Sequence, residues 1–380
     1  MNTRFQAVLE AAAEQWQVPA AAVAVDLGGA VHRASVGCDG SERFRIASIT
    51  KPTTAILALS LLDLDEPTGI WPEEVRVRHL LSNTTGYDHE LPEPDQARFG
   101  DGDDALARCV AELPAVRRLA GVDEVWSYAN TGFWLAAHLA AERAGAVYED
   151  LLREQVLQPL GLEAMSFDEP DLPGSGPGAE LGGYPRARRP SGGLVARVDD
   201  VLRLGRHIAS DACARMRVVH GKPVGGVYGL GLFGERVAGV DVWGHSGSYG
   251  GFQSSVLALP SHGAVFAGVT SSAFGSKALR LVEDVFFEHV VGERRATPSY
   301  LHAGPGELER HEGTYENTTM RVEVEAAGDG LVLHLDGEEI IGLKIGPRTF
   351  AVPAGAHVHE RFDFPRDGLG RFGSRLAERA

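Results

Sequence analysis

Lysine is scarce in this chain. Four lysines, Lys51, Lys222, Lys277 and Lys344, stand among 36 basic residues in a length of 380, and arginine supplies the rest. Lys and Arg form no run, and the formal charge is −16. A nucleic-acid partner needs a basic face to displace counterions, so the charge speaks against one. Cysteine is also sparse. Cys38, Cys109 and Cys213 are odd in number and far apart, which fits neither a disulfide framework nor metal-ligand spacing. They read as small apolar residues. No apolar run approaches the roughly 18 residues of a membrane span. The opening MNTRFQAVLEAAAEQWQ mixes apolar and charged positions as an amphipathic helix does. It lacks the apolar core of about 7–15 residues that marks a secretory signal. The expectation is a cytoplasmic protein with no membrane partner.

Hydrophobic residues make up 44% and charged residues 23%, as in a soluble globular protein. Residues 3–17 predict a helix with Phe5, Val8, Leu9 and Ala12 on one face. Residues 19–37 predict two strands joined at Gly28-Gly29, and 54–64 a helix buried nearly all round. From 66 to 220 helical segments alternate with loops, clearest at 134–145 and 198–208. A Gly/Pro-rich loop over 169–193 lies between those two and is long enough to suggest a functional role. Glycine-rich strand sequence returns over 226–271, followed by a helix over 276–291.

The economical arrangement is an α+β domain over residues 1–297. One antiparallel sheet, built from 1–65 and 221–297 and flanked by helices, would carry an all-helical insertion at 66–220. After a linker at 298–306, alternating runs at 320–326, 331–335, 339–345 and 357–364 predict a small antiparallel β domain over 307–380.

Within 44-FRIASITKPTT-54, Ser48 and Lys51 are three residues apart. At a helix start this puts Lys51 one turn along on the same face. Lysine takes a serine proton only when neutral, so its pKa must fall from about 10.4 through burial or a nearby cation. The bland alternative is a serine N-cap with a solvated lysine, and four lysines give S-x-x-K by chance often enough. Tyr128 and Asn130 in 126-WSYANTG-132 are two apart, so both side chains can face one way. A phenol can relay a proton and an amide can bridge a lysine and a carbonyl. Alone, the pair reads equally as a packed tyrosine and a turn asparagine.

The stretch 244-GHSGSYGG-251 approaches a G-x-S-x-G elbow but has Ser248 where glycine is required, and a strand follows in place of a helix. Ser246 therefore ranks below Ser48 as nucleophile. The stretch reads either as a flexible glycine turn or as an edge strand along which backbone approaches substrate and His245 lines the site. His357 and His359 alternate on one strand face but have no third ligand in view. His79 and His89 are similarly unsupported.

In this order the three motifs resemble those of the penicillin-recognising serine hydrolases. That family includes class C β-lactamases, DD-peptidases, D-aminopeptidases and β-lactamase-fold esterases. The resemblance covers roughly residues 3–292, with further landmarks at 77-VRHLLSNTTGY-87 and 190-PSGGLVARVDDVLRLG-205. The segment after about 307 is similar to the lipocalin-like extension of many members. The resemblance implies the β-lactamase/transpeptidase-like fold and a Ser48 acyl-enzyme. It implies that Lys51 and Tyr128 share base and acid duty and that Asn130 orients Lys51 and the substrate amide. His245 and Gly247 would form the third motif on the substrate side, and the backbone N–H groups of Ser48 and Ser248 the oxyanion hole. It implies no metal and no cofactor.

β-Lactamases usually carry lysine where His245 stands, which lowers the expectation of a dedicated β-lactamase. The leading expectation is hydrolysis of a small amide or ester, in particular a peptide containing a D-amino acid. The alternatives are a carboxylesterase, an acyltransferase-type thioesterase, a β-lactamase or a non-catalytic binding module. The partner expected is a small-molecule or peptide substrate; the sequence is silent on oligomeric state.

Overall fold

Glycine punctuates the first elements. Helix α1 (Asn2–Gln15) buries Phe5, Leu9 and Ala12 at helical spacing, and strands β1 (Ala21–Leu27) and β2 (Ala30–Val36) form a hairpin. Its turn needs Gly28 at φ +63° and Gly29 at φ +100°, the left-handed region that glycine enters freely. The computed structural model describes residues 2–91, 96–353 and 361–380. His357 and His359 lie outside the described residues.

Strand β3 (Phe44–Arg45) leads through a tight turn into α2 (Thr50–Leu61), which is buried around most of its circumference. The middle of the chain carries α3 (Val77–Ser82), α4 (Ala105–Ala111), α5 (Thr131–Ala144), α6 (Tyr148–Leu152) and α7 (Arg189–Gly192). Short strand β4 (Val195–Ala196) pairs with β3, and α8 (Val198–Ala209) follows. Then come β5 (Val227–Tyr228), β6 (Phe233–Val237), β7 (Val240–Tyr249), β8 (Phe252–Leu259), β9 (Ala264–Thr270) and α9 (Gly275–Val291). The strand sequence at 226–233 is interrupted at Gly231, whose φ of +74° turns the chain toward α2.

Seven of these strands form an antiparallel sheet in the order β2-β1-β9-β8-β7-β6-β5. Early strand β1 lies against late strand β9, so distant parts of the chain close the sheet. Helices α1 and α9 cover one face, burying Phe5, Leu9, Phe286 and Phe287 against Val23, Val25 and Phe266. Helix α8 covers the other. A methyl on Gly205 would lie 2.4 Å from Val265, so glycine is what lets this helix sit so close.

Beyond the 298–306 segment the chain forms a closed antiparallel barrel. Its strands are β10 (Gly313–Glu316), β11 (Arg321–Ala327), β12 (Gly330–Leu335), β13 (Glu338–Lys344), β14 (Thr349–Ala351), β15 (Arg361–Arg366), β16 (Leu369–Phe372) and β17 (Arg375–Arg379). Pairing of β10 with β17 closes it. In β11, Val322 and Val324 point inward between exposed Arg321, Glu323 and Glu325. Tyr315, Phe350, Phe362, Phe364 and Phe372 fill the interior. The runs at 320–326, 331–335 and 339–345 match β11, β12 and β13, and the described part of 357–364 falls in β15, whereas the burial of β10, β14, β16 and β17 does not alternate.

Candidate active site

Ser48 sits in the tight turn ahead of α2. Ala47 before it is held at φ +44°, a left-handed conformation that costs an L-residue about 1–2 kcal/mol. The strain is sustained from several sides. Ile46 N donates to the Leu194 carbonyl at 3.0 Å, Thr50 Oγ1 to the Ala47 carbonyl at 2.7 Å, and Ser254 Oγ to the Ile46 carbonyl at 2.8 Å. Ser48 thus lies just before a helix N-terminus, where the dipole favours developing negative charge.

Lys51, one turn along, is 0% exposed. Its Nζ lies 3.2 Å from Ser48 Oγ, 2.9 Å from Asn130 Oδ1 and 2.7 Å from the Ser191 carbonyl. It also stands 4.7 Å from the centroid of the Tyr128 ring. Burial pushes the Lys51 pKa well below that of a free lysine; the cations Arg375 and Arg188 push the same way, and Glu90 opposes them. In the neutral amine two N–H bonds remain for the Asn130 and Ser191 oxygens, both pure acceptors. The lone pair is then left to the Ser48 hydroxyl.

Tyr128 and Asn130 converge on this lysine. Asn130 stands at the N-terminus of α5 but makes no side-chain cap there; its amide oxygen accepts from Lys51 instead. Burial pushes the Tyr128 phenol well above its ordinary pKa, with the nearby Ser48 hydroxyl and Arg375 opposing. The segment is held by Asn83, whose carbonyl accepts from Ser127 N at 3.0 Å and whose Oδ1 accepts from Ala129 N at 3.1 Å. On its other side it meets the barrel. Tyr128 N donates to the Ser374 carbonyl at 2.8 Å, Leu376 N to Ser127 Oγ at 3.1 Å, and Arg371 Nη1 to the Trp126 carbonyl at 2.9 Å.

Strand β7 brings in the third motif. It is an interior strand up to the Phe233–Gly244 pair with β6, and from His245 onward that side forms no further β6 pair. The edge-strand expectation therefore holds only for its second half. His245 is 3% exposed and packs among Phe233, Tyr128 and Tyr228. Its Nδ1 lies 2.6 Å from the Ser246 carbonyl, which can only accept, so Nδ1 carries a proton. Gly247 packs against the Ile46 carbonyl. Ser48, Tyr128, His245, Gly247 and Ser248 all line one cavity of about 520 Å³. Ser246 lines it too, from an extended strand and not from a strand-to-helix turn.

His79 is buried and pairs with Asp123 at 3.1 Å, and His89 pairs with Asp88 at 2.7 Å. Among the described residues no group of three or more His, Cys, Asp or Glu side chains gathers as a metal would require. Among the same residues no helix is long and apolar enough to cross a membrane.

The Beta-lactamase family model matches residues 5–284. The chain belongs to the β-lactamase family. As a member it is a serine hydrolase. It is 26% identical over 354 residues to penicillin-binding protein 4 of Amycolatopsis lactamdurans, covering 77% of this chain and 90% of that protein. It is 26% identical over 354 residues to a D-aminopeptidase of Gluconobacter oxydans, covering 80% of this chain and 62% of that one. Among solved structures it is similar to SurE with D-Leu, with a TM-score of 0.75, 23% identity, and coverage of 100% of this chain and 99% of that one.

Two features of this β-lactamase-family site escape sequence reasoning. One is the Ser191 carbonyl on Lys51, supported by Ser191 Oγ, which donates to the Arg188 carbonyl at 3.0 Å and accepts from Trp134 Nε1 at 2.8 Å. Its only sequence signal is its place in the 190–205 landmark. The other is Arg375. It comes from the barrel, lines the cavity that Ser48 opens into beside Phe372 and Ser374, and acts on both Lys51 and Tyr128. A permanent cation thus reaches the β-lactamase-family cavity from β17, although the third motif offers only histidine.

Proposed function

We propose that the chain cleaves a small amide or ester bond through a Ser48 acyl-enzyme, on substrates that carry a D-amino acid. The observation that carries this reading is the 3.2 Å approach of Lys51 Nζ to Ser48 Oγ inside a wholly buried lysine environment. Neutral Lys51 takes the Ser48 proton as Oγ attacks the carbonyl carbon. The carbonyl electron pair moves to oxygen, where the Ser48 and Ser248 backbone N–H groups would stabilise it by about 3–4 kcal/mol per donor. On collapse the carbon–leaving-group bond breaks and the leaving atom takes a proton. With its phenol kept protonated by burial, Tyr128 suits the donor's part and Lys51 the base's. The proton that Tyr128 gives is balanced by the one Lys51 took from Ser48, so passing it on would return both groups to their starting states. Water then attacks the acyl carbon by the reverse route, freeing the acid and Ser48.

The D-configured substrate is supported by the D-aminopeptidase relative and by the likeness to SurE with D-Leu. The domain division at about residues 297 and 307 is likewise proposed. The cytoplasm is the proposed compartment, consistent with three unpaired cysteines.

The test is labelling by a fluorophosphonate or a fluorescent penicillin, followed by substrate comparison. Wild type should label and Ser48→Ala should not; labelling that persists in Ser48→Ala would return Ser246 to contention. Turnover of D-Ala-p-nitroanilide is expected. Hydrolysis of p-nitrophenyl butyrate alone would make it an esterase, and preferential transfer to an added amine an acyltransferase.

A further inference from the structure

Loop residues Asp88 and His89 form a second link between the barrel and the Tyr-x-Asn segment. Their backbones face that segment: Asn130 N donates to the His89 carbonyl at 3.2 Å, and Thr131 Oγ1 to the Asp88 carbonyl at 3.2 Å. Their side chains face the barrel. The Asp88 carboxylate, 0% exposed, accepts from Thr318 N at 2.9 Å and Thr318 Oγ1 at 2.6 Å, both between β10 and β11. It also accepts from the His89 N–H and Nδ1–H, each at 2.7 Å. With Nδ1 donating, His89 Nε2 becomes the acceptor for Thr319 Oγ1 at 2.8 Å. Burial alone would raise the Asp88 pKa, but the bonds from His89 and Thr318 outweigh it and hold the group ionised.

A buried, ionised carboxylate is costly unless all its bonds are met, and removing any one exposes that cost. Asp88 does not line the catalytic cavity. It spends its bonds on joining two parts of the chain that each place a group against Lys51. One is the loop that fixes Asn130; the other is the barrel that carries Arg375.

We propose that Asp88 is a positioning residue: by fastening the β10–β11 turn to the loop under Asn130, it keeps the barrel's Arg375 beside Lys51 and the Asn130 amide in register with it. The inference rests on Lys51 as the base. The charged groups facing Lys51 are Arg375, Arg188 and Glu90; Asp88 faces the titratable but neutral His89 imidazole and, at longer range, Arg375. Loosening the link removes one of two cations that disfavour the Lys51 ammonium. Because only neutral Lys51 accepts the Ser48 proton, the acidic limb of kcat/KM then moves to higher pH.

Two variants test this in the full chain. Asp88→Asn keeps the shape but turns an N–H toward groups that already donate. Thr318→Val removes only the barrel's hydroxyl and leaves the loop intact. Ester turnover is followed across pH for both, beside wild type and Ser48→Ala. The expectation is a fall in kcat on the order of 10- to 100-fold for Asp88→Asn and a smaller fall for Thr318→Val, with the acidic limb displaced upward in each. Loss of stability alone would lower the active fraction without moving the limb. Wild-type limbs in both folded variants overturn the inference and leave the Ser48–Lys51 reading standing. Turnover surviving in Ser48→Ala overturns that reading instead. If Asp88→Asn does not fold, the limb of Thr318→Val decides.

Discussion

Gly247 runs so close to Ile46 that a methyl group on its Cα would lie 2.1 Å from the Ile46 carbonyl oxygen and 2.5 Å from Ser254 Oγ. Ile46 directly precedes the strained Ala47–Ser48 turn, so glycine in β7 lets the sheet grip the backbone that presents Ser48. Gly247→Ala forces those atoms apart, and overpacking of this kind costs about 1–3 kcal/mol. The expected result is a lower melting temperature together with at least a tenfold slower acylation, since Ser48 moves with Ile46. Rapid-mixing acylation at the wild-type rate would show that this contact does not place Ser48.

Charge at Arg375 should shift the working pH. Burial, Arg375 and Arg188 all lower the Lys51 pKa, so activity should appear well below the pH at which a free lysine loses its proton. Arg375→Gln removes one cation, raises the Lys51 pKa, and moves the acidic limb of kcat/KM upward. A pH–rate profile of the variant reads this directly; an unmoved limb would mean that burial alone sets the lysine.

Tyr128→Phe keeps the ring beside Lys51 and loses only the hydroxyl. An amine leaving group needs a proton as its bond breaks, whereas p-nitrophenolate does not. Anilide or amide turnover should therefore fall by roughly 10²–10⁴ and activated-ester turnover far less. Equal losses on both substrates would argue against proton donation by Tyr128.

The barrel should weaken in mild acid. His311 stacks on Phe364 with ring centroids 4.1 Å apart, and its Nε2 accepts from Arg310 Nε at 3.2 Å. Burial, then Arg310 and Arg348, lower its pKa to about 4. The unfolded imidazole titrates near 6.5. Its contribution is thus complete above about pH 6.5 and is lost as pH falls toward about 4. In His311→Phe that share of the pH dependence should vanish. Melting curves of both proteins at neutral and mildly acidic pH decide; a constant difference between them would refute the assignment.

Much of the frame was legible from sequence because its signals are local. Alternation and glycine turns mark the β1–β2 hairpin and β11–β13, and helical spacing marks α1, α5 and α8. The Ser48–Lys51 approach follows from three-residue spacing at a helix start. What the sequence does not display is contact across long stretches of chain. Nothing in LGRFGSRLAER, which holds β16 and β17, shows that Arg375 enters a cavity opened by Ser48. Asp88 looks like any loop aspartate until Thr318 is seen against it. The Asn130 side chain could equally have capped α5; only the buried Lys51 amine decides its direction.

Closure of the barrel by β17 against β10 has a consequence for biosynthesis. Ser48 and Lys51, the proposed nucleophile and base, emerge from the ribosome before Arg375 and the strand that anchors it to Tyr128. Until β17 is paired, Lys51 lacks one of the charges that lower its pKa. On the proposed mechanism, the charge environment of Lys51 is therefore complete only once β17 has paired with β10.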